Sequence, residues 1–116
     1  MAQETVLARR PADESFVARL AQFFPDATAV RLPVQVTGTD ARGQDCSEHT
    51  IIEFGTPNEV LFASALPWEF DGRLRLENPD CSLSAEATVV AVQYHNGKVA
   101  VAARFLRDIP NWIIRR

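Results

Sequence analysis

The sequence AEATVVAVQYHNGKVAVAARF, at residues 85–105, is the strongest indication of the fold class. Two runs rich in valine and alanine, residues 85–94 and 99–105, flank the dipeptide Asn96-Gly97. Asn-Gly is typical of the two-residue type I′ turn, because both central residues of that turn need a positive φ. Valine is enriched in strands, where its branched side chain packs well on a pleated surface. The stretch therefore predicts two long antiparallel strands joined by a tight turn.

Upstream of this hairpin, extended structure is predicted from about residue 30 onwards. Apolar side chains alternate with other residues, and an alternation with a period of two indicates half-buried strands. The four upstream strands are expected at residues 30–37, 46–54, 60–66 and 73–77. Pro33 has no N–H to donate, so the first of these strands should have an open edge or a local break there.

Six consecutive strands with short connections predict an antiparallel sheet. A sheet of this length closes into a small barrel, which removes exposed edges. The predicted fold class is mainly β: a small six-stranded antiparallel barrel with an N-terminal helix and a short C-terminal helix. We assign residues 1–26 to an N-terminal extension that contains the first helix, and residues 27–116 to the barrel domain.

Both predicted helices rest on local signals near the ends of the chain. Five apolar residues share one helical face between Pro11, which is favoured in a first turn, and Pro25, which ends a helix. They are Phe16, Val17, Leu20, Phe23 and Phe24. This amphipathic helix is expected to cover one end of the sheet, and a dimer contact is the alternative. Asp108 is a helix-capping residue, so a short helix should follow it, with Trp112 and Ile113 packed on the barrel.

The composition fits one globular domain and limits the partners and the cellular location that we expect for it. The chain has 116 residues, a net charge of −3 and a pI of about 5.3. General nucleic-acid binders usually carry a basic face, so we expect no nucleic-acid partner. Its start lacks the basic and apolar regions of a secretory signal peptide, and no stretch approaches the ~18 apolar residues of a membrane helix. We therefore expect a cytoplasmic protein without membrane insertion, in which Cys46 and Cys81 are free thiols.

Four stretches of the chain, together with the order and spacing of the strands, match a known family of domains. They are RLPV at residues 31–34, TIIEFGTPN at 50–58, GRLRL at 72–76 and ARFL at 103–106. Over residues 27–112 the chain thereby resembles the PilZ family of bacterial domains. The resemblance implies a six-stranded barrel of a kind that often binds cyclic di-GMP, a bacterial second messenger, and so implies a role in signalling.

The resemblance also implies where the nucleotide would bind. In the family, an Arg-x-x-x-Arg segment before the first strand grips phosphates and guanine rings, because a guanidinium offers a planar fork and a flat face. An Asp/Asn-x-Ser-x-x-Gly turn after the second strand holds the guanine edges. Here Arg31 matches the second arginine, and Ala27 stands at the first. Glu53, Gly55 and Asn58 stand where the family turn has Asp/Asn, Ser and Gly.

These departures predict weak or lost binding of cyclic di-GMP. Gly55 has no hydroxyl and Glu53 reaches farther than Asp, while the loss of one arginine removes a charge-assisted contact worth about 1.5–3 kcal/mol. Asn58 is expected to keep the turn by adopting a left-handed conformation. Arg9 and Arg10 are alternative phosphate ligands from the start of the chain, although we expect them to be solvated surface charges.

The chain is therefore predicted to be a non-enzymatic, PilZ-like regulatory or adaptor domain of bacterial origin. It would act through protein–protein contacts, either with another protein or with copies of itself. The alternative is a functional cyclic di-GMP receptor with non-standard contacts through Arg31 and Asn58. No known catalytic signature is visible, so we expect no enzyme activity and no resident cofactor.

Two cysteines and two histidines are candidate zinc ligands, and a cysteine and a histidine among them could form a nucleophile pair. They are Cys46, His49, Cys81 and His95. Residues at positions i and i+3 of a strand point to opposite faces, so Cys46 and His49 should not share a site. We therefore expect neither a metal site nor a nucleophile pair.

Trp68 and Phe70 lie in the predicted loop before the turn at Asp71-Gly72. Two roles are open for them: they plug one end of the barrel, or they anchor a partner. Large apolar side chains are usually buried, which favours the first role.

Overall fold

The computed structural model describes residues 16–39, 42–80, 83–109 and 112. They form one short helix and six strands, which are α1 (Phe16–Ala21), β1 (Thr28–Thr39), β2 (Asp45–Gly55), β3 (Glu59–Ser64), β4 (Arg73–Glu77), β5 (Ser84–His95) and β6 (Lys98–Phe105). The strands close into a barrel in the order β1-β2-β3-β6-β5-β4. All neighbouring pairs are antiparallel. The predicted six-stranded antiparallel barrel is confirmed.

The hairpin of β5 and β6 has the predicted turn. Asn96 and Gly97 have φ angles of 49° and 83°, and His95 pairs with Lys98 across them. Both central residues thus have the positive φ that a type I′ turn requires. The pairing slips by one residue between Val89 and Ala91, which is a β-bulge and bends β5 there.

The first strand has the open edge that its proline predicts. β4 pairs with β1 only over residues 35–38, so Pro33 lies outside that ladder. The side-chain amide of Asn78 donates to the carbonyl oxygen of Pro33 at 2.7 Å. A proline is tolerated here because no strand on that side needs its missing N–H.

The barrel interior holds the main apolar core. Its buried members are Val34, Val36, Ile52, Val60, Phe62, Trp68, Leu74, Leu76, Leu83, Ala85, Ala87, Val89, Val99, Val101, Ala103 and Phe105. Trp68 is 1% exposed and its indole N–H donates to the hydroxyl of Ser64 at 2.8 Å. Phe70 is instead 64% exposed. Of the two loop aromatics, therefore, Trp68 packs into the barrel and Phe70 does not.

A second apolar cluster lies on the outside of the barrel, beneath α1. Val17 and Leu20 of the helix are buried there against Leu61, Ala100 and Ala102. Small side chains on β6 let the helix approach the sheet closely, and burial of its apolar face holds it in place.

The helix is shorter at its C-terminal end than the apolar spacing predicts. It ends at Ala21, and N–H groups of the next residues bond three positions back, from Phe23 to Leu20 and from Phe24 to Ala21. Phe23 is consequently 74% exposed, so its predicted place on the buried face is wrong. The predicted start of the helix near Pro11 lies outside the described residues.

The C-terminal segment is described through residue 109 and at residue 112. Residues 106–109 are not helical, and the remainder of the predicted short helix lies outside the described residues. Trp112 packs on the barrel, with its ring edge-on to Phe105 at a centroid distance of 5.5 Å. The predicted contact of Trp112 with the barrel is therefore confirmed.

Candidate functional site

The β2–β3 turn, residues 55–59, contains the predicted nucleotide-binding positions Gly55 and Asn58. Its centre is the buried side chain of Thr56. The Thr56 hydroxyl accepts from the backbone N–H groups of Asn58 and Glu59 at 3.0 and 2.9 Å, and donates to the Glu59 carboxylate at 2.5 Å. The Thr56 N–H in turn bonds to the carbonyl oxygen of Glu59 at 2.9 Å. The Thr56 hydroxyl and the N–H groups of Thr56, Asn58 and Glu59 therefore all find hydrogen-bond partners within the turn.

Asn58 does not hold the turn by a left-handed backbone. Among the described residues other than glycine, only Asp71 and Asn96 have a positive φ, so the expectation for Asn58 is wrong. Its carbonyl oxygen accepts from the N–H of Phe105 at 2.9 Å, which ties the turn to β6. The turn is held instead by the Thr56 hydroxyl, which accepts from the N–H groups of Asn58 and Glu59.

Gly55 is needed for the close approach of Trp112. A Cβ atom at Gly55 would overlap the six-membered ring of the indole, and the indole N–H donates to the carbonyl oxygen of Thr56 at 3.0 Å. The ring thus covers the backbone of the turn. In the family motif a serine hydroxyl would stand at this position, whereas here the same space holds a side chain of the chain itself.

The charged groups next to the turn are also paired. The Arg104 guanidinium contacts the Glu59 carboxylate through two nitrogens, at 2.7 and 2.9 Å. The Glu59 side chain is only 12% exposed. Both nitrogens contact Oε2 of Glu59, and the Thr56 hydroxyl donates to Oε1, so both carboxylate oxygens are engaged. Charge-assisted hydrogen bonds such as those from Arg104 are stronger than neutral ones.

Arg31 lies away from the turn, on the outside of β1. Thr28 is the β1 residue that pairs with Gly55, and Arg31 is three residues farther along, which is roughly 10 Å at the rise of a strand. Val30 and Arg31 together oppose the single residue Glu53, because the β1–β2 register slips there. Arg31 therefore lies across from Glu53, which precedes Gly55 by two residues on β2, and Asn58 lies beyond the last pair of the β1–β2 ladder.

Arg31 is exposed and forms no ion pair with another described residue. Glu53 is half-buried and stands where the pairing of β2 with β3 also slips, between Ile52 and Phe54. Bulges of this kind redirect side chains at the rim of a sheet. Of the predicted site residues in this region, Arg31 is the one whose side chain is exposed and carries a charge that a ligand could meet.

Sequence reasoning missed Thr56, Glu59 and Trp112. A signal for the first two was visible, since Thr56-Pro57-Asn58-Glu59 has the Ser/Thr-x-x-Glu spacing in which the two side chains satisfy local backbone N–H groups. No local signal connects Trp112 to the turn, because the two are 56 residues apart.

A groove of about 500 Å³ runs along the outer face of β4 and β5 to residues 106–109. Its walls mix the charges of Arg75, Glu86, Arg107 and Asp108. Arg75 is engaged, since its guanidinium donates to the Ser84 hydroxyl at 3.0 Å and pairs with Glu86 at 3.8 Å. The mixed and internally paired charge gives this groove no preference for an anion or a cation.

The predicted zinc and nucleophile residues are dispersed. Cys46 is half-buried and its thiol donates to the carbonyl oxygen of Gln44 at 3.5 Å. His49 is exposed on β2, and His95 stacks on Phe16 with ring centroids 5.3 Å apart. Cys81 lies outside the described residues. Within the part of the chain that the structure describes, no three His, Cys, Asp or Glu side chains are placed to hold a metal ion.

None of the described helices has the length and apolar character that crossing a membrane requires. Comparison of the chain with protein-family models, with curated proteins and with solved structures finds no match.

Proposed function

We propose that this chain is a non-enzymatic regulatory or adaptor domain, PilZ-like and bacterial, that acts through protein–protein contacts and binds cyclic di-GMP weakly or not at all. The observation that supports this proposal is the cover of Trp112 over the β2–β3 turn. At the position where the family turn would hold a guanine edge, the chain places its own indole ring.

Energetic considerations favour lost binding over binding with altered contacts. A nucleotide at the turn would have to displace Trp112 and its hydrogen bond to Thr56, and each lost hydrogen bond costs about 0.5–1.5 kcal/mol. The missing arginine at Ala27 removes a further charge-assisted contact of about 1.5–3 kcal/mol. The two losses together come to about 2–4.5 kcal/mol. Every 1.4 kcal/mol lowers affinity about tenfold, so a micromolar site would weaken by about 30- to 1,500-fold.

Titration with cyclic di-GMP tests this proposal. We expect no heat of binding by calorimetry and no rise in Tm at high micromolar nucleotide, because a ligand that binds only the native state must raise stability. Trp112→Ala uncovers the turn and is the matched comparison: without the cost of displacing the ring it should gain at most about tenfold in affinity, and its binding should stay weak because the missing arginine and hydroxyl are not restored.

The receptor alternative has one observation in its favour, the exposed Arg31 beside Glu53. A clear rise in Tm with cyclic di-GMP that Arg31→Ala abolishes would overturn the proposal and establish the receptor. A rise that Arg31→Ala leaves unchanged would also overturn it and would place the nucleotide at a different surface.

A further inference from the structure

Among the described strands, β5 has no partner on one of its edges along its C-terminal half. On that side β4 pairs with residues 84–88, and Val89 completes the contact through hydrogen bonds of 2.8 Å with Asp71 and Gly72. No described strand pairs with residues 90–95 on this side. The opposite edge is covered by β6 as far as His95. This unpaired stretch, residues 90–95 of β5, is called the open edge below.

The backbone groups that face the open edge follow from the register of the hairpin. The turn places His95 opposite Lys98, and in a two-residue turn this flanking pair is hydrogen-bonded. Antiparallel pairs alternate between bonded and non-bonded, so Tyr94 and Val92 do not bond to β6. Their N–H and C=O groups therefore point away from β6 in the plane of the sheet, towards the open edge.

The sequence of this region lacks the usual protection of an exposed edge. Residues 87–94, ATVVAVQY, contain no charge, no proline and no glycine. Natural sheets guard exposed edges with charged side chains, with proline, with bulges or by covering them, and of these devices the region has only the bulge between Val89 and Ala91. Val92 is half-buried, and Tyr94 is 72% exposed. An uncharged strand with outward backbone donors and acceptors is a template for another strand.

The unpaired part of β2 shows how this chain closes an edge when it has no partner for it. β3 pairs with β2 only at residues 52–55. Beyond that point the Glu48 carboxylate accepts from the hydroxyl of Ser64 and from the N–H of Ala65, and the Thr50 hydroxyl donates to the carbonyl oxygen of Ala63 at 2.7 Å. Side chains cap this edge, and no side chain caps the open edge of β5 in the described structure.

We propose that the open edge pairs antiparallel with the same edge of a second copy of this chain, with Gln93 on the two-fold axis. The proposal gives a partner to the protein-contact function stated above and rests on that function. In this register Val92 of each copy lies opposite Tyr94 of the other. The two pairs form four backbone hydrogen bonds, and each tyrosine ring covers a half-buried valine, which is a favourable cross-strand combination.

The charges at the two ends of the open edge favour a second copy in this orientation. Glu69 and Asp71 are exposed at the end next to β4, and Lys98 is exposed at the hairpin tip. Antiparallel pairing brings the tip of one copy to the acidic end of the other, whereas parallel pairing would bring Lys98 next to Lys98. A two-fold pairing also uses each edge once, so assembly stops at two chains.

Light scattering tests this pairing. It measures the mass of the intact chain in solution from low to high micromolar concentration. The native chain should reach twice 12.9 kDa. Gln93→Lys places two like charges opposite each other at the axis and should raise the dimer dissociation constant about tenfold or more. Gln93→Glu should do the same. An equimolar mixture of the two variants pairs Lys with Glu and should restore the dimer.

His49→Lys is the matched control, because it adds the same charge to an exposed strand position on β2 and should leave the mass unchanged. A native chain that stays monomeric throughout, or a dimer that Gln93→Lys does not weaken, would overturn the proposal. Failure of the mixture to recover the dimer would overturn the register with Gln93 on the axis. Because the mass is measured without nucleotide, this result is independent of the cyclic di-GMP titration.

Discussion

The β2–β3 turn and the open edge of β5 differ in where their polar groups find partners. In the turn, the Thr56 hydroxyl, the Glu59 carboxylate and the Trp112 indole all bond within the chain. At the open edge, the backbone groups of Val92 and Tyr94 face away from β6. A substitution in the turn should therefore lower the free energy of unfolding at any protein concentration. A substitution at the open edge should change association and leave the single chain intact.

Trp112→Ala should have the largest effect on the turn. The half-buried ring packs on Gly55 and Phe105 and donates one hydrogen bond. Complete removal of a buried Trp or Phe side chain costs about 3–5 kcal/mol, so we expect about 2–3 kcal/mol for this partly exposed one. Urea unfolding at a concentration where the chain is monomeric measures it. A loss below about 0.5 kcal/mol, the range of ordinary surface changes, would show that the ring does not close the turn.

Gly55→Ala should cost about 1–3 kcal/mol, because the added methyl group overlaps the Trp112 ring and forces it aside. The same substitution in the Trp112→Ala background should cost little, since the clash is absent. This double-mutant cycle isolates the contact between the two residues. Equal losses in both backgrounds would mean that Gly55 is required by the backbone and that the ring is incidental.

Thr56→Val should cost about 1–2 kcal/mol with almost no change in side-chain shape. It leaves the N–H groups of Asn58 and Glu59 without the hydroxyl that accepts from them, and an unsatisfied buried donor costs about 1–3 kcal/mol. Thr88→Val is the control, since Thr88 lies within the β5 strand and is half-buried. Chemical denaturation compares the two, and equal losses would argue against the special role of the Thr56 hydroxyl.

The strands of the barrel could be predicted because their signals are local. Asn96-Gly97 specifies its turn through two residues that tolerate positive φ, and alternation identifies the flanking strands without reference to distant parts of the chain. The limit of such signals is visible at Phe23. Its spacing continues the apolar face, and nothing local shows that the chain leaves the helix after Ala21 in order to enter β1.

The closure of the β2–β3 turn could not be predicted in the same way. Arg104 and Glu59 are 45 residues apart, and Trp112 and Thr56 are 56 residues apart. Contacts at such separations depend on the barrel order that places β3 beside β6. The residue that covers the turn, Trp112, lies outside the segment 53–58 in which the nucleotide-binding positions were predicted.

Gln93→Lys should have the smallest effect on the free energy of unfolding of the single chain. Any concentration-dependent effect of this variant can therefore be assigned to association. Gln93 is exposed near the hairpin tip, and exposed substitutions away from caps and ion pairs usually change the free energy of unfolding by less than about 0.5 kcal/mol. At concentrations where the native chain is monomeric, the variant should unfold at the same urea concentration as the native chain. At higher concentrations the native chain should gain stability from association and the variant should not, because pairing of folded chains raises apparent stability by mass action. A loss of stability that is the same at every concentration would assign Gln93 to the packing of its own barrel, like the residues of the β2–β3 turn, and would remove the distinction between the two regions.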